Sequence, residues 1–213
     1  MTAALDIVGL QKSFGGVRAT NDVTLSFEAG SLAAVIGPNG AGKSTFFNLI
    51  SGALKPDFGE VKVGGRNIVG LSRAEIVDLG IARAFQVAKL FPTFSVGESL
   101  LAAVTASLRL SERMFRRFPP PEAQARAREV AEMLGLQDKW NTIASTLSHG
   151  DQKLLDIGIA LVLEPRVLLL DEPTAGMGPE ERWKMIDKVQ EMWLRQKITV
   201  VFIEHDMDIV FKI

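Results

Sequence analysis

The chain has 213 residues, 47% hydrophobic and 23% charged, which is ordinary usage for a packed globular domain and excludes bulk disorder. Its 24 basic and 25 acidic residues leave a formal charge of −1, so no global positive field exists to hold nucleic acid. Cysteine is absent, which removes disulfides, thiolate metal sites and a cysteine nucleophile, and fits a reducing compartment. No apolar run approaches the roughly 18 residues that a membrane span needs. The richest stretch, Ile157–Leu163, is short and contains Gly158. The start, MTAALDIVGL, has neither a basic leader region nor a long apolar core. The chain is expected to remain in the cytoplasm and to meet a membrane only through a partner.

In chain order, LDIVGL and VTLSFEAG carry β-branched and aromatic residues between glycines and predict strands. Leu32–Ile36 predicts a strand buried on both faces, followed by a glycine-rich turn and a helix from Lys43 to about Ile50. GEVKVGGRNI predicts a hairpin around Gly64 and Gly65. Ser72 with Glu75, and Ser95 with Glu98, have the spacing of capping boxes; Gly80 closes the first of these two helices. FRRFPPPE breaks the chain, and Pro121 opens a helix that ends at Gly135. Residues 90–163 are thus mostly helical between α/β flanks. VLLLDE and ITVVFIE predict buried strands. Between them a helix after Pro179 places Trp183, Ile186, Val189 and Trp193 on one expected core face.

Gly37 to Ser44 reads GPNGAGKS, fitting G-x-x-x-x-G-K-[ST] between a strand and a helix. Glycines let backbone N–H groups turn inward around a phosphate chain, and the helix start adds partial positive charge. In such a loop Lys43 reaches the β- and γ-phosphates and the Ser44 hydroxyl is offered to Mg²⁺. A second strand should end in a carboxylate, and Val167–Leu170 followed by Asp171 and Glu172 supplies it. Asp171 is expected to hold Mg²⁺, directly or through water. Glu172 is either the group that takes a proton from water or a solvated acid beside a turn.

With these motifs the sequence resembles the ATP-binding-cassette ATPases over essentially the whole chain. LSHGDQK at 147–153 is similar to the family's signature, usually LSGGQ, and lies upstream of the Asp-Glu strand. Gln86 stands where the family's Q-loop glutamine lies, Phe14 matches the aromatic that stacks on adenine, and AGMGPEE at 175–181 matches the loop that touches the opposite subunit. His205 matches the switch histidine. The resemblance implies that Gly37, Pro38, Asn39, Gly40, Ala41, Gly42, Lys43, Ser44 and Thr45 bind ATP together with Phe14. It assigns Ser44, Gln86 and Asp171 to Mg²⁺, and Glu172, His205, Gln86 and Lys43 to hydrolysis. Ser148, Gly150 and Asp151 would meet nucleotide held by a second subunit. Read without the family, Ser148 is the cap of a helix Asp151–Leu163, with Asp151 completing a capping box. Position 151 departs from the family's glutamine, and an aspartate there would bring repulsive charge towards a triphosphate. FGGVRATNDVTL, GIARAFQVAKLFPTFSVGESLL and EHDMDIVF resemble the ATPase subunits of branched-chain amino acid importers and their urea and amide siblings.

The expected fold is α/β, a P-loop NTPase core with an N-terminal antiparallel β-subdomain at 1–89 and 164–213, and an inserted α-helical subdomain at 90–163. The resemblance implies a head-to-tail pair of ATPase subunits, the same or different, that enclose ATP at the cytoplasmic face of a membrane. It also implies permease subunits as partners and, through them, a solute-binding protein; no nucleic acid is expected. The segment 86–100, with Leu90, Phe91 and Phe94, is either the permease-docking surface or local core. Relatives continue some dozens of residues past the position of Ile213, so the C-terminus is expected to be short or incomplete. The competing reading is a soluble cassette ATPase acting on nucleic acid or ribosomes. It lacks the zinc-binding cysteines or long coiled-coil insertions that such proteins usually carry.

Overall fold

A computed structural model describes residues 3–84, 91–108 and 119–212. By internal packing the chain divides into two compact units. The first comprises Met1–Arg83, Pro165–Pro173 and Trp193–Ile213; the second comprises Ala84–Glu164 and Thr174–Met192.

The first unit holds two four-stranded sheets. Strands β1 (Ala3–Phe14) and β2 (Val17–Glu28) form an antiparallel hairpin closed by Gly15 and Gly16, and β1 pairs on its other side with β4 (Phe58–Val63). The β4–β5 hairpin, with β5 at Arg66–Asn67, turns at Gly64 and Gly65 (φ 54° and 83°). Two successive left-handed residues are what a tight hairpin of matching twist requires, and glycine adopts them without a Cβ penalty.

The second sheet runs β3 (Leu32–Val35), β8 (Thr199–Ile203), β7 (Val167–Asp171), β6 (Ile81–Ala84), with β3–β8 and β8–β7 parallel. Every residue of β7 and β8 is buried, as their continuous apolar runs predict. β3 departs from that expectation. It is only half-buried along its length, whereas β6, at the other end of the same sheet, is mostly buried. Helix α1 (Lys43–Ile50) drives Phe46, Phe47, Leu49 and Ile50 into one apolar core with Leu5, Ile7 and Leu10 of β1 and with Leu169, Val201 and Ile203 of the parallel strands. Each such side chain contributes roughly 1.5–3 kcal/mol on full burial.

Both capping boxes form. α2 (Arg73–Asp78) starts on Ser72, whose hydroxyl accepts the Glu75 N–H while the Glu75 carboxylate accepts the Ser72 N–H; α3 (Val96–Ser107) repeats this with Ser95 and Glu98. In the second unit α3 packs with α4 (Pro121–Met133) and α5 (His149–Leu161). Gly158 of α5 lies where a Cβ would be 3.0–3.4 Å from Leu134, Leu100 and Val130, so the small residue lets the backbone approach closely. Helix α6 (Pro179–Gln196) corrects the expected aromatic stripe. Its buried face is Met185, Ile186, Val189 and Met192, while Trp183 is 37% exposed. Trp193 is half-buried and donates its indole N–H to the Gly30 carbonyl at 2.8 Å, as an amphipathic ring with a polar handle does. A last short helix, α7, spans Met207–Lys212. Among the described residues no helix is long and apolar enough to cross a membrane.

Candidate nucleotide site

The loop between β3 and α1 is shaped by its glycines. Gly37, Gly40 and Gly42 have φ of 152°, 80° and 88°. Gly42 is the N-cap of α1, and a Cβ there would lie 2.1 Å from the Ala19 carbonyl oxygen, so only glycine fits. The start of α1 has no side-chain cap and no acid in its first turn. Its N–H groups therefore keep their positive character for an external anion. Lys43 folds over the loop and donates to the carbonyls of Gly37 (2.7 Å) and Pro38 (2.9 Å). Pro38, Asn39, Gly40, Ala41 and Ser44 are exposed, and Thr45 is half-buried. Phe14, 51% exposed at the end of β1, lies under the Lys12 ammonium at 5.7 Å from the ring centroid.

The parallel sheet delivers the acidic and imidazole groups. Asp171 ends β7, Glu172 follows it, and His205 lies two residues past β8. Glu172 takes a left-handed backbone conformation (φ 48°) and donates its N–H to Ile203 O at 3.2 Å. Such a conformation costs a non-glycine residue of order 1–3 kcal/mol and clusters at functional sites. It leaves the Glu172 carboxylate 4.0 Å from His205 Nδ1, while the buried Glu204 carboxylate lies 3.9 Å from the same nitrogen. Ile36, Gly37, Pro38, Asn39, His205 and Met207 line one cleft of about 410 Å³, so the phosphate-type loop and the histidine share a space. Asp171 is buried against Arg83, whose Nη2 is 2.6 Å from Asp171 Oδ2.

Ser148, Gly150 and Asp151 belong to the second unit, at the start of α5. The Ser148 hydroxyl accepts the Asp151 N–H at 3.2 Å, which makes it the cap. The expected capping box is only half-formed. The Asp151 carboxylate accepts hydrogen bonds from the Ser148 hydroxyl (2.6 Å) and the Lys139 ammonium (2.5 Å) instead of from the Ser148 backbone N–H. The His149 ring lies 3.2 Å from the Ala175 carbonyl, which ties the helix start to the 175–181 loop. Ser148, Gly150, Asp151 and Lys139 line a pocket of about 590 Å³ together with Glu181, Lys184 and Lys188.

The structure therefore gathers Gly37–Thr45, Phe14, Asp171, Glu172 and His205 in one unit and Ser148, Gly150 and Asp151 in the other; Gln86 lies outside the described residues. The sequence reasoning missed Arg83 and Lys139. Arg83 had a legible signal, a lone cation in the apolar strand β6; Lys139 had none.

The ABC transporter family model matches residues 20–175. The high-affinity branched-chain amino acid transport ATP-binding protein LivG of Salmonella typhimurium is 38% identical, over 98% of this chain and 84% of its own. A crystal structure of the ADP conformation of an ATP-binding cassette of an ABC transporter superposes with a TM-score of 0.86 at 32% identity, covering 100% of this chain and 85% of that one. The dimeric structure of a post-hydrolysis cassette bound to ADP and Pi gives 0.78 at 26% identity, over 96% and 89%.

Proposed function

The chain belongs to the ATP-binding cassette transporter family, and from that premise we propose that it is the ATP-hydrolysing subunit of an importer for branched-chain amino acids or a related small polar solute. The name of the LivG relative supports the solute class. ATP lies along Gly37–Thr45, with its phosphates on the N–H groups of α1 and on Lys43, and its adenine on Phe14. Glu172 takes the proton of the attacking water at its carboxylate. His205, 4.0 Å away, contacts the γ-phosphate and holds the geometry. That neighbouring pair, brought together by the ends of two parallel strands, is the observation that carries the reading.

Mg²⁺, when bound with ATP, neutralises charge on the phosphate oxygens, and Ser44, Asp171 and Gln86 are its proposed protein ligands. The fit is chemical. Ser44 and Asp171 offer hard oxygen donors, and among the described residues no group of three or more acidic or histidine side chains is arranged to hold a metal ion by itself. That suits an ion held jointly by a few side chains, phosphates and water.

A second cassette would receive the Ser148–Asp151 helix start at its own nucleotide, and the dimeric state of one cassette relative supports the pairing. Closure on ATP and reopening after hydrolysis would move permease subunits between two states. The docking surface is the segment that includes Phe91 and Phe94. These rings stack at 5.0 Å yet stay 52% and 39% exposed, which favours a partner surface over a core. The assignment is tested by isolating the tagged chain from membranes and identifying what binds it. Permease subunits are expected. Their absence, with ATPase activity insensitive to Phe91→Ser and Phe94→Ser in the membrane fraction, would refute the transport role.

A further inference from the structure

Helix α1 is apolar on its core face, but Ser44, Asn48 and Ser51 recur at helical spacing, so they share another face. One guanidinium reads that face. Arg83 Nη1 donates to Asn48 Oδ1 at 2.7 Å and to Ser51 Oγ at 3.2 Å, while Nη2 donates to Asp171 Oδ2 at 2.6 Å. Its planar cation also lies 5.8 Å from the centre of the Phe47 ring. The Arg83 and Asp171 side chains are 10% and 7% exposed, so water competes little for either.

We propose that Arg83 is a positioning residue for the metal site: it fixes the Asp171 carboxylate relative to the face of α1 that carries Ser44. This rests on the reading of Asp171 and Ser44 as Mg²⁺ ligands. A carboxylate has two oxygens and about four acceptor sites. Arg83 occupies Oδ2, which sets the carboxylate's rotation and leaves Oδ1 for a second cation. The rigid fork of arginine suits this task because it holds β7 and α1 at the same time; lysine, with a single ammonium, cannot reproduce both ends. Arg83 touches neither nucleotide nor water in this scheme. It acts through Asp171, as partners behind metal ligands do, and such partners are typically worth about 10–100-fold in metal affinity.

The test separates metal binding from nucleotide binding. Mn²⁺ serves as the probe, titrated by electron paramagnetic resonance into the full chain saturated with a non-hydrolysable ATP analogue. Nucleotide affinity is measured in parallel in EDTA, and folding by thermal unfolding. Arg83→Gln is expected to weaken Mn²⁺ about 10–100-fold while nucleotide affinity in EDTA changes by less than about twofold; Arg83→Lys is expected to recover part of the loss. Because removing one partner of a buried ion pair can prevent folding, Asn48→Ala supplies a second route. It loosens the α1 end of the bridge without uncovering a charge, and is expected to weaken Mn²⁺ several-fold. Unchanged Mn²⁺ affinity in folded Arg83→Gln, or in both Arg83→Lys and Asn48→Ala, overturns the proposal and leaves Arg83 a structural brace. Failure of the unaltered chain to bind Mn²⁺ with nucleotide would overturn the metal-ligand reading itself, a separate result.

Discussion

Replacing Asp151 with glutamine tests the electrostatics of the signature directly. A lone aspartate about 8 Å from one phosphate charge, at an effective dielectric of about 20, would repel it by roughly 2 kcal/mol. The structure changes that sum, because Lys139 places its ammonium 2.5 Å from Asp151 Oδ2. If the ammonium lies on the far side of the carboxylate from the phosphate, at about 10 Å, the pair's residual repulsion falls to roughly 0.5 kcal/mol by the same relation. Asp151→Gln removes the anion and leaves the cation, whose attraction at about 10 Å is at most about 1.6 kcal/mol before screening. Lys139 is 43% exposed, so salt should reduce this to about 1 kcal/mol or less. The substitution also frees the Ser148 hydroxyl from the Asp151 carboxylate. ATP-dependent association, followed by light scattering on a Glu172→Gln background at low salt, should therefore strengthen in Asp151→Gln. It should weaken in Lys139→Met and return near the starting value in the double variant. A Lys139→Met protein that associates as tightly as its parent would refute the compensation. Weaker association in Asp151→Gln would show that the carboxylate is a favourable nucleotide ligand.

Glu172→Gln keeps shape and loses basicity, so turnover should fall about 10²- to 10⁴-fold while ATP binding persists; near-normal turnover sinks the assignment. Lys43→Ala should lower ATP affinity by roughly 2–5 kcal/mol in calorimetry, and unchanged affinity would exclude the loop as the phosphate site. The N–H and hydroxyl of Ser95 hold the Glu98 carboxyl below its ordinary value of 4.5. Its stabilising contribution is present above that ordinary value and is lost as pH falls through the lowered one. The protection factors of the amides at the start of α3, each taken against the intrinsic exchange rate at its own pH, should therefore fall on acidification in the parent chain, and Glu98→Gln should flatten that dependence.

What the sequence made legible was local. The phosphate-type loop, both capping boxes and the Gly64–Gly65 hairpin each depend on residues within a few positions of one another, so spacing and residue type suffice. Arg83 and Asp171 are separated by most of the helical segment, and only the neighbouring places of β6 and β7 bring them together. Lys139 reaches Asp151 from a single 3₁₀ turn, Gln137–Lys139, which is too short for periodicity to reveal. On α6 Ile186 and Val189 are buried as expected, and the two tryptophans are not. The bulk of Trp183 suggested a core position, yet methionines fill that role and Trp183 faces outward. The strand order β3-β8-β7-β6 is a property of the completed sheet, which no local pattern announces.

That order has a consequence for how the molecule comes into being. β8 inserts between β3 and β7, pairing Ala34 with Phe202 and Leu169 with Val201. The hairpins and capped helices can form as soon as they leave the ribosome, but the central sheet must wait until the chain has been made almost to residue 203. Loop-closure entropy is lost before these distant contacts compensate for it, so this step should be slow. In the interval, β3 and β7 present apolar strands with unpaired edges, which are templates for intermolecular pairing. Because Glu172 meets His205 only across the finished strand ends, the proposed nucleotide site exists only in the completed sheet, which bound nucleotide should stabilise over its precursors. ATP in the refolding buffer should therefore suppress aggregation of full-length chains and do little for chains that stop before Thr199.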